Sequence, residues 1–250
     1  METPSVSTRE RKLIASLCMK KYRDREGLFV AEGEKVIAQL CAHYEPRLIV
    51  GEKLWTKTPI RPDLMRIATA SQLRAMSNLQ SPTDFVALFQ LPPSPETLPK
   101  SEAVVVALDS VQNPGNLGTI IRLCDWLGIE QLVLGKGTVD PFSPKVVQAT
   151  AGALGAVRLY TDVDLTEYLS GLDEEVRVFA TALEGNNISQ VVVPERCVVL
   201  FGNEGHGLSA SLLSACDELI NIPAAPSTVS ESLNVSISAA IILSKIAKVL

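Results

Sequence analysis

Val104-Val105-Val106-Ala107-Leu108 leads, after a short turn, into Asn113-Pro114-Gly115-Asn116-Leu117-Gly118-Thr119-Ile120-Ile121-Arg122. The first run is continuously apolar and rich in valine, the pattern of a strand buried on both faces. Asn113 to Asn116 has turn chemistry, and Asn116 is a candidate helix cap ahead of Leu117, Ile120, Ile121, Cys124 and Leu127, which recur at helical spacing. Gly128 stands where a left-handed cap would end a helix over 116–127. Arg122 falls outside the apolar stripe. A buried strand, a polar bend and an amphipathic helix form the repeating unit of a parallel α/β sheet.

The alternation continues downstream. Strands are expected over 131–134, 157–160, 176–181, 198–201 and 219–222, and helices over 143–150, 165–169, 210–214 and 235–249. The fold class is therefore α/β, a mostly parallel sheet with helices on both faces, over 103–250. Upstream, four prolines between Leu91 and Glu102 disfavour both helix and central strand, so 91–102 reads as a linker. Residues 1–90 then form a smaller α/β unit, with helices over 10–17, 34–41 and 71–76, Leu28-Phe29-Val30 leading through Glu32-Gly33 into the second of these, and strands at 48–50, 65–68 and 85–89.

The composition is that of a globular protein, with 46% hydrophobic and 20% charged residues. No apolar run approaches the roughly 18 residues of a membrane span, and the first residues lack the apolar core of a secretory signal. A cytoplasmic protein is expected. The five cysteines make no Cys-x-x-Cys pair and there are two histidines, so neither a disulfide framework nor a metal site is expected. The net charge of −5 hides a split. Residues 1–100 hold 15 Lys and Arg against 11 Asp and Glu, whereas 101–250 hold 8 against 17. Arg9, Arg11, Lys12, Lys20, Lys21, Arg23 and Arg25 concentrate positive charge near the start, a local field that attracts a phosphate backbone. A solvated helix face explains the same run equally well.

Two further segments carry chemistry. Leu200-Phe201-Gly202-Asn203-Glu204-Gly205-His206-Gly207 follows an apolar strand, and its glycines permit close approach of backbone to a ligand. It is neither a dinucleotide fingerprint nor a P-loop. Ser232-Leu233-Asn234-Val235 precedes the last helix, with Ser232 or Ser230 as the candidate cap. With Asn113–Arg122, these resemble the three signature motifs of the SpoU-type RNA 2′-O-ribose methyltransferases. The resemblance implies a C-terminal domain closed by a trefoil knot, homodimerisation through that domain, and a small ribosomal-protein-like N-terminal domain that binds RNA. It implies S-adenosylmethionine as cofactor, lined by Thr181, Gly202, Asn203, Gly205, Ile222 and Leu233. It gives Arg122 the central catalytic role, with Asn116, Glu204, Ser232 and Asn234 around it, and RNA as substrate, ribosomal rather than transfer RNA. His206 reads as a loop residue.

The match has departures. The stretch Ala224–Glu231 is about two residues longer than in related sequences and lacks a Met-x-Gly turn, which implies a differently shaped cofactor lid. Asp140–Lys145 and Ala151–Ala153 also resemble a family segment, but Gln148 and Thr150 stand where many members have Arg and Ser. A non-catalytic RNA-binding or ribosome-assembly protein on the same fold, or a transfer-RNA ribose methyltransferase, are the alternatives. A serine hydrolase is not, because no Gly-x-Ser-x-Gly elbow is present.

Overall fold

The computed structural model describes residues 3–79, 81, 83–100 and 103–248. Ser101 and Glu102 of the expected linker and Val249 of the expected last helix lie outside the described residues. The chain forms two compact units, one of 1–93 with 140–156 and the other of 94–139 with 157–250.

The first unit runs α1 (Thr8–Ser16), α2 (Lys20–Glu26), β1 (Leu28–Glu32), α3 (Glu34–Leu40), β2 (Pro46–Gly51), β3 (Met65–Ile67), α4 (Ala70–Met76) and β4 (Phe85–Gln90). Its sheet has the order β1-β4-β2-β3, with only the β2–β3 pair parallel. Ser7 and Thr69 start α1 and α4 with capping boxes closed by Glu10 and Gln72. Gly27 ends α2 in the left-handed conformation, at φ 64°.

One expectation needs correction here. Residues 140–156 do not belong with the downstream domain that surrounds them in sequence. Phe142 packs on Phe29 with ring centroids 5.3 Å apart. Gly152 and Gly155 press so closely on Gln39 and His43 that a Cβ would lie 2.4 and 2.3 Å from their side chains. Arg23, expected among the RNA-contacting cations, is buried at 2% exposure. Its guanidinium is committed to Asp140 and to the carbonyls of Leu17 (2.7 Å) and Cys18 (2.9 Å). A buried cation persists only where its donors are matched, so Arg23 is a structural tie for this excursion. Within it, α6 (Pro144–Ala149) ends at Thr150, fully buried with its hydroxyl on the Val147 carbonyl at 2.7 Å.

The second unit contains β5 (Val104–Leu108), α5 (Pro114–Leu127), β6 (Gln131–Gly135), β7 (Arg158–Val163), α7 (Leu165–Ser170), β8 (Arg177–Asn187), β9 (Cys197–Phe201), α8 (Ala210–Ser214), β10 (Glu218–Asn221) and α9 (Val235–Ile246). Its six strands lie in the order β10-β8-β9-β5-β6-β7, and every pairing is parallel. Residues Val105, Ala107, Val178, Ala180, Val198 and Leu200 form a core with Leu165, Tyr168 and Leu212 of α7 and α8. The residues between them, including Val106, Leu108, Val199 and Phe201, are buried on the opposite face. On this sheet β5, first in sequence, has β6 on one side and β9 on the other. Chain direction across the sheet therefore switches between β5 and β9, where open α/β sheets bind ligands at their carboxyl ends.

Candidate functional site

The residues that cap α5 and α9 at their starts are not the expected ones, with a consequence for the site. The cap of α5 is Asn113, whose Oδ1 accepts from the amides of Gly115 (2.8 Å) and Asn116 (3.2 Å). Pro114 occupies the first helical position, where a missing N–H costs nothing. Asn116 is therefore not the cap but a buried residue of the first turn, its side chain free for other partners. Likewise α9 is capped by Asn234, not by Ser230 or Ser232, and Asn234 Oδ1 accepts from Ser236 N at 2.9 Å.

These two asparagines join the three motifs. Asn234 Nδ2 donates to Asn116 Oδ1 at 3.0 Å, and Asn116 Nδ2 donates to Glu204 Oε1 at 2.9 Å. The amides of Gln112 (3.4 Å) and Asn113 (3.3 Å) also point at the Glu204 carboxylate. Burial pushes the Glu204 carboxyl up, but the hydrogen bonds from Asn116 and from backbone amides outweigh it, and the group lies below its ordinary value. Glu204 is thus held ionised. The Ser236 N–H, which can only donate, fixes Oδ1 at that end and so turns the Asn234 NH2 toward Asn116, and Ser236 Oγ adds a second bond to Oδ1 at 2.6 Å. Ser236 was not anticipated from the sequence; a serine two residues after a capping asparagine was the available signal.

The 202–207 loop is built by its own residues. Asn203 Oδ1 accepts from Gly205 N (2.8 Å) and His206 N (3.2 Å), while its Nδ2 reaches the Ser110 carbonyl at 2.7 Å. Paired bonds between Asn203 and Gly207 close the bend, and Gly207 has φ 67°. A Cβ on Gly202 would lie 2.3 Å from the Gly207 backbone, so only glycine fits there.

Beside this loop lies a cleft of about 680 Å³, at the carboxyl ends of β9, β8 and β10. All six expected cofactor residues, Thr181, Gly202, Asn203, Gly205, Ile222 and Leu233, line it. Glu204, Ser232 and Asn234 line it as well, so the exposed stretch after Pro223 leaves the third motif at the cleft. His206 is on its rim, exposed. Residues 181–184 line it too, from a segment that leaves the β8–β10 ladder: pairing jumps from Leu219–Ala180 to Ile220–Asn186. Gly185 allows the detour, since a Cβ there would lie 2.8 Å from the Leu219 backbone.

Arg122 stands apart. It does not line the cleft, it is exposed, and among the described residues its guanidinium has no hydrogen-bond or ion-pair partner. One helical turn on, Trp126 is 83% exposed, and Ile237 and Ile241 of the α9 helix that packs on α5 are 51% and 42% exposed. Among the expected RNA contacts other than Arg23, the residues Arg9, Lys12, Lys20, Lys21 and Arg25 are exposed. Lys20 pairs with Asp24 and Arg25 with Glu26. Arg11 is half-buried and bonds Thr8. Among the described residues no group of three or more His, Cys, Asp or Glu is placed to hold a metal ion, and no helix is long and apolar enough to cross a membrane.

Comparison with known proteins shows the family. The SpoU rRNA Methylase family description matches residues 103–244. The 23S rRNA (guanosine(2553)-2′-O)-methyltransferase RlmP of Bacillus subtilis is 31% identical over 90% of each chain. A solved structure described as a TrmH-family RNA methyltransferase from Porphyromonas gingivalis superposes with a TM-score of 0.87 at 33% identity, covering 98% of this chain and 99% of the other. An rRNA methyltransferase from Sinorhizobium meliloti, solved with AdoMet bound, gives 0.85 at 31% identity over 100% and 98%.

Proposed function

Because the chain belongs to the SpoU rRNA methylase family, we propose that it transfers the methyl group of S-adenosylmethionine to a ribose 2′-hydroxyl of structured RNA, with ribosomal RNA as the substrate. The observation that carries this reading is the hydrogen-bonded chain Asn234–Asn116–Glu204, which draws three distant motifs to the edge of one cleft.

The cleft fits the cofactor. Its volume falls in the range of small-molecule sites, about 300–1,000 Å³. Apolar side chains of Leu208, Leu213, Ile220, Ile222 and Ile242 supply one wall, and the fixed charge of Glu204 suits a cationic ligand. When bound, the cofactor supplies a methyl group already activated by its sulfonium charge. The protein's task is then positioning, worth about 7–11 kcal/mol when two reactants are held in line. Asn116 and Asn234 are spent on the brace and act by fixing the loops, while exposed Glu204 presents its charge to the cleft as well as anchoring the brace. Arg122 keeps its proton to a pH above about 12 and cannot serve as the base; it is assigned to clamp the ribose-phosphate, with the proton passing to an RNA phosphate oxygen.

In this reading the site is completed by a second copy. Arg122 lies off its own chain's cleft beside exposed Trp126, and the α5–α9 surface carries exposed Ile237 and Ile241, which supports a homodimer through this unit. The return of the chain from edge strand β10 to a helix packed on α5 supports the family's trefoil knot. The first unit is assigned to RNA binding through Arg9, Lys12, Lys20, Lys21 and Arg25, with Tyr22 flanked by Lys21 and Arg25 at 4.9 Å each. In this reading the enzyme is assigned to the cytoplasm.

The test is single-turnover transfer of labelled methyl to ribosomal RNA, with the modified ribose mapped. No transfer, or label on a base, overturns the reading. Arg122→Ala and Gly202→Leu, which breaks the bend beside the cleft, should each be inactive, whereas co-refolding the two in equal amounts should restore about a quarter of wild-type sites if each site draws on two chains.

A further inference from the structure

The turn that joins β5 to α5 carries a strained residue. Ser110 has φ 54°, one of four non-glycine residues at positive φ among the described residues, and such a conformation persists only where its surroundings over-determine it. They do so here. The Asp109 amide still donates to the Phe201 carbonyl at 2.9 Å, extending the β5–β9 pairing by one step. Ser110 then takes the chain off the ladder, with its Oγ in reach of the Lys136 carbonyl (3.0 Å) and of Asp109 Oδ1 (3.1 Å). Gly137 packs so closely behind it that a Cβ there would lie 3.0 Å from that oxygen. On the other side of the turn, the Ser110 carbonyl accepts from Asn203 Nδ2 at 2.7 Å.

A carbonyl only accepts and a backbone amide only donates, so Asn203 is oriented from both ends: Nδ2 toward Ser110, Oδ1 toward the amides of Gly205 (2.8 Å) and His206 (3.2 Å). Those two bonds shape the bend beside the cleft. Asp109 holds the far end of the same loop, its Oδ2 accepting from the Ser209 amide at 3.3 Å. Two consecutive residues, neither of them in the three motifs, thus grip Asn203 and Ser209, and between these lie Glu204 and the glycines that line the cleft. Resting on the cofactor reading above, we propose that Asp109 and Ser110 are positioning residues for cofactor binding, a clamp that sets the Asn203–Ser209 loop against the cleft. Asp109 acts through its carboxylate. Ser110 acts through backbone direction, the left-handed turn serving to aim its carbonyl at Asn203.

Calorimetric titration of the full chain with S-adenosylhomocysteine, with thermal unfolding of the same samples, tests this. Ser110→Val puts a β-branched residue where positive φ is required and should bind about tenfold more weakly at unchanged stoichiometry. Ser110→Gly adopts that φ freely and should restore affinity to within about twofold of wild type, although both contacts of the hydroxyl are gone. Asn203→Asp sets an oxygen against the same carbonyl and should also bind about tenfold more weakly; adding Ser110→Val to it should weaken binding little further, because the bond is already lost. Asp109→Ala frees the Ser209 amide and should cost about fivefold, and Asp109→Asn, which keeps an acceptor, should recover most of it. A role in stability alone would lower the unfolding temperature and leave the dissociation constants unchanged. Unchanged affinity in Ser110→Val or Asp109→Ala, a loss in Ser110→Gly as large as in Ser110→Val, or additive losses in the double variant would overturn the clamp and leave the cofactor reading standing. Failure of the wild-type protein to bind the compound would overturn both.

Discussion

Asn116→Asp is nearly isosteric, yet it replaces the NH2 that faces Glu204 with a carboxylate oxygen. The donor and acceptor are 2.9 Å apart in the native structure. Two unit charges at about 3 Å repel by roughly 1.5 kcal/mol in water and 5 kcal/mol at an effective dielectric near 20. Glu204 is solvent-exposed on one side, so screening keeps the value toward the lower end, about 2 kcal/mol. Loss of a hydrogen bond to a charged group adds about 1 kcal/mol once water has partly replaced it, for a total near 3 kcal/mol at neutral pH. The sign with pH is distinctive. In the wild-type protein the Glu204 carboxyl lies below its ordinary value, so its contribution is present above the unfolded pKa and disappears as pH falls through the folded one. In the variant the two carboxyls share a proton and their joint titration moves up, so the stability deficit is small in acid and grows as pH rises through that raised value. Urea unfolding of both proteins at pH 5 and pH 7.5 reads this directly. Equal midpoints at pH 7.5, or a deficit that widens in acid, would refute the brace.

Other outcomes follow from the same structure. Arg23→Met alone strands Asp140 in a site where its side chain is 18% exposed and should cost about 3 kcal/mol, whereas Arg23→Met with Asp140→Leu should recover much of it; equal losses in the single and double variants would remove Arg23 from its structural role. Burial pushes the Cys124 thiol up to about 12 and Cys197 up to about 11, while Cys18 is exposed. A thiol reagent at pH 8 should therefore label Cys18 promptly and leave Cys124 and Cys197 silent until unfolding, as peptide mapping would report. Alanine at Arg9, Lys12 and Lys21 together should weaken RNA binding and flatten its salt dependence by about two to three units of log–log slope, with binding of S-adenosylhomocysteine unchanged; an unaltered slope would move the RNA surface elsewhere.

The architecture was largely legible because parallel strands announce themselves. Val104–Leu108 and Cys197–Phe201 are apolar throughout, as strands covered on both faces must be, and the fold makes them direct neighbours with Val104 beside Cys197. What the pattern does not carry is partnership at long range. Nothing near Asp140 marks it as the counter-ion of Arg23, 117 positions earlier, so a segment flanked by methyltransferase strands was assigned to the wrong unit. The basic run misled for a related reason: charge in sequence does not distinguish a cation in water from one that ties two segments together.

The errors at the helix starts are more instructive, because they change chemistry. A turn ending in asparagine before an apolar stripe makes Asn116 look like a cap, and a serine before α9 makes Ser232 look like another. Pro114 settles the first case, since its fixed φ and absent N–H place it at the first helical position and move the cap to Asn113. That shift of one helical turn takes Asn116 out of a purely local role and turns its amide toward Glu204, 88 positions away. In α9 the cap moves the other way, to Asn234, whose Oδ1 is occupied by Ser236 and whose NH2 is thereby aimed at Asn116. The polarity of the chain follows from these caps: the backbone N–H of Ser236 sets one side-chain amide, that amide sets the next, and the last donor meets a carboxylate. A reversed amide at either asparagine would oppose two donors or two acceptors. The three motifs therefore hold one another by the direction of their hydrogen bonds as well as by proximity, which is why exchanging one nitrogen for one oxygen at position 116 is expected to disturb the site more than removing the side chain.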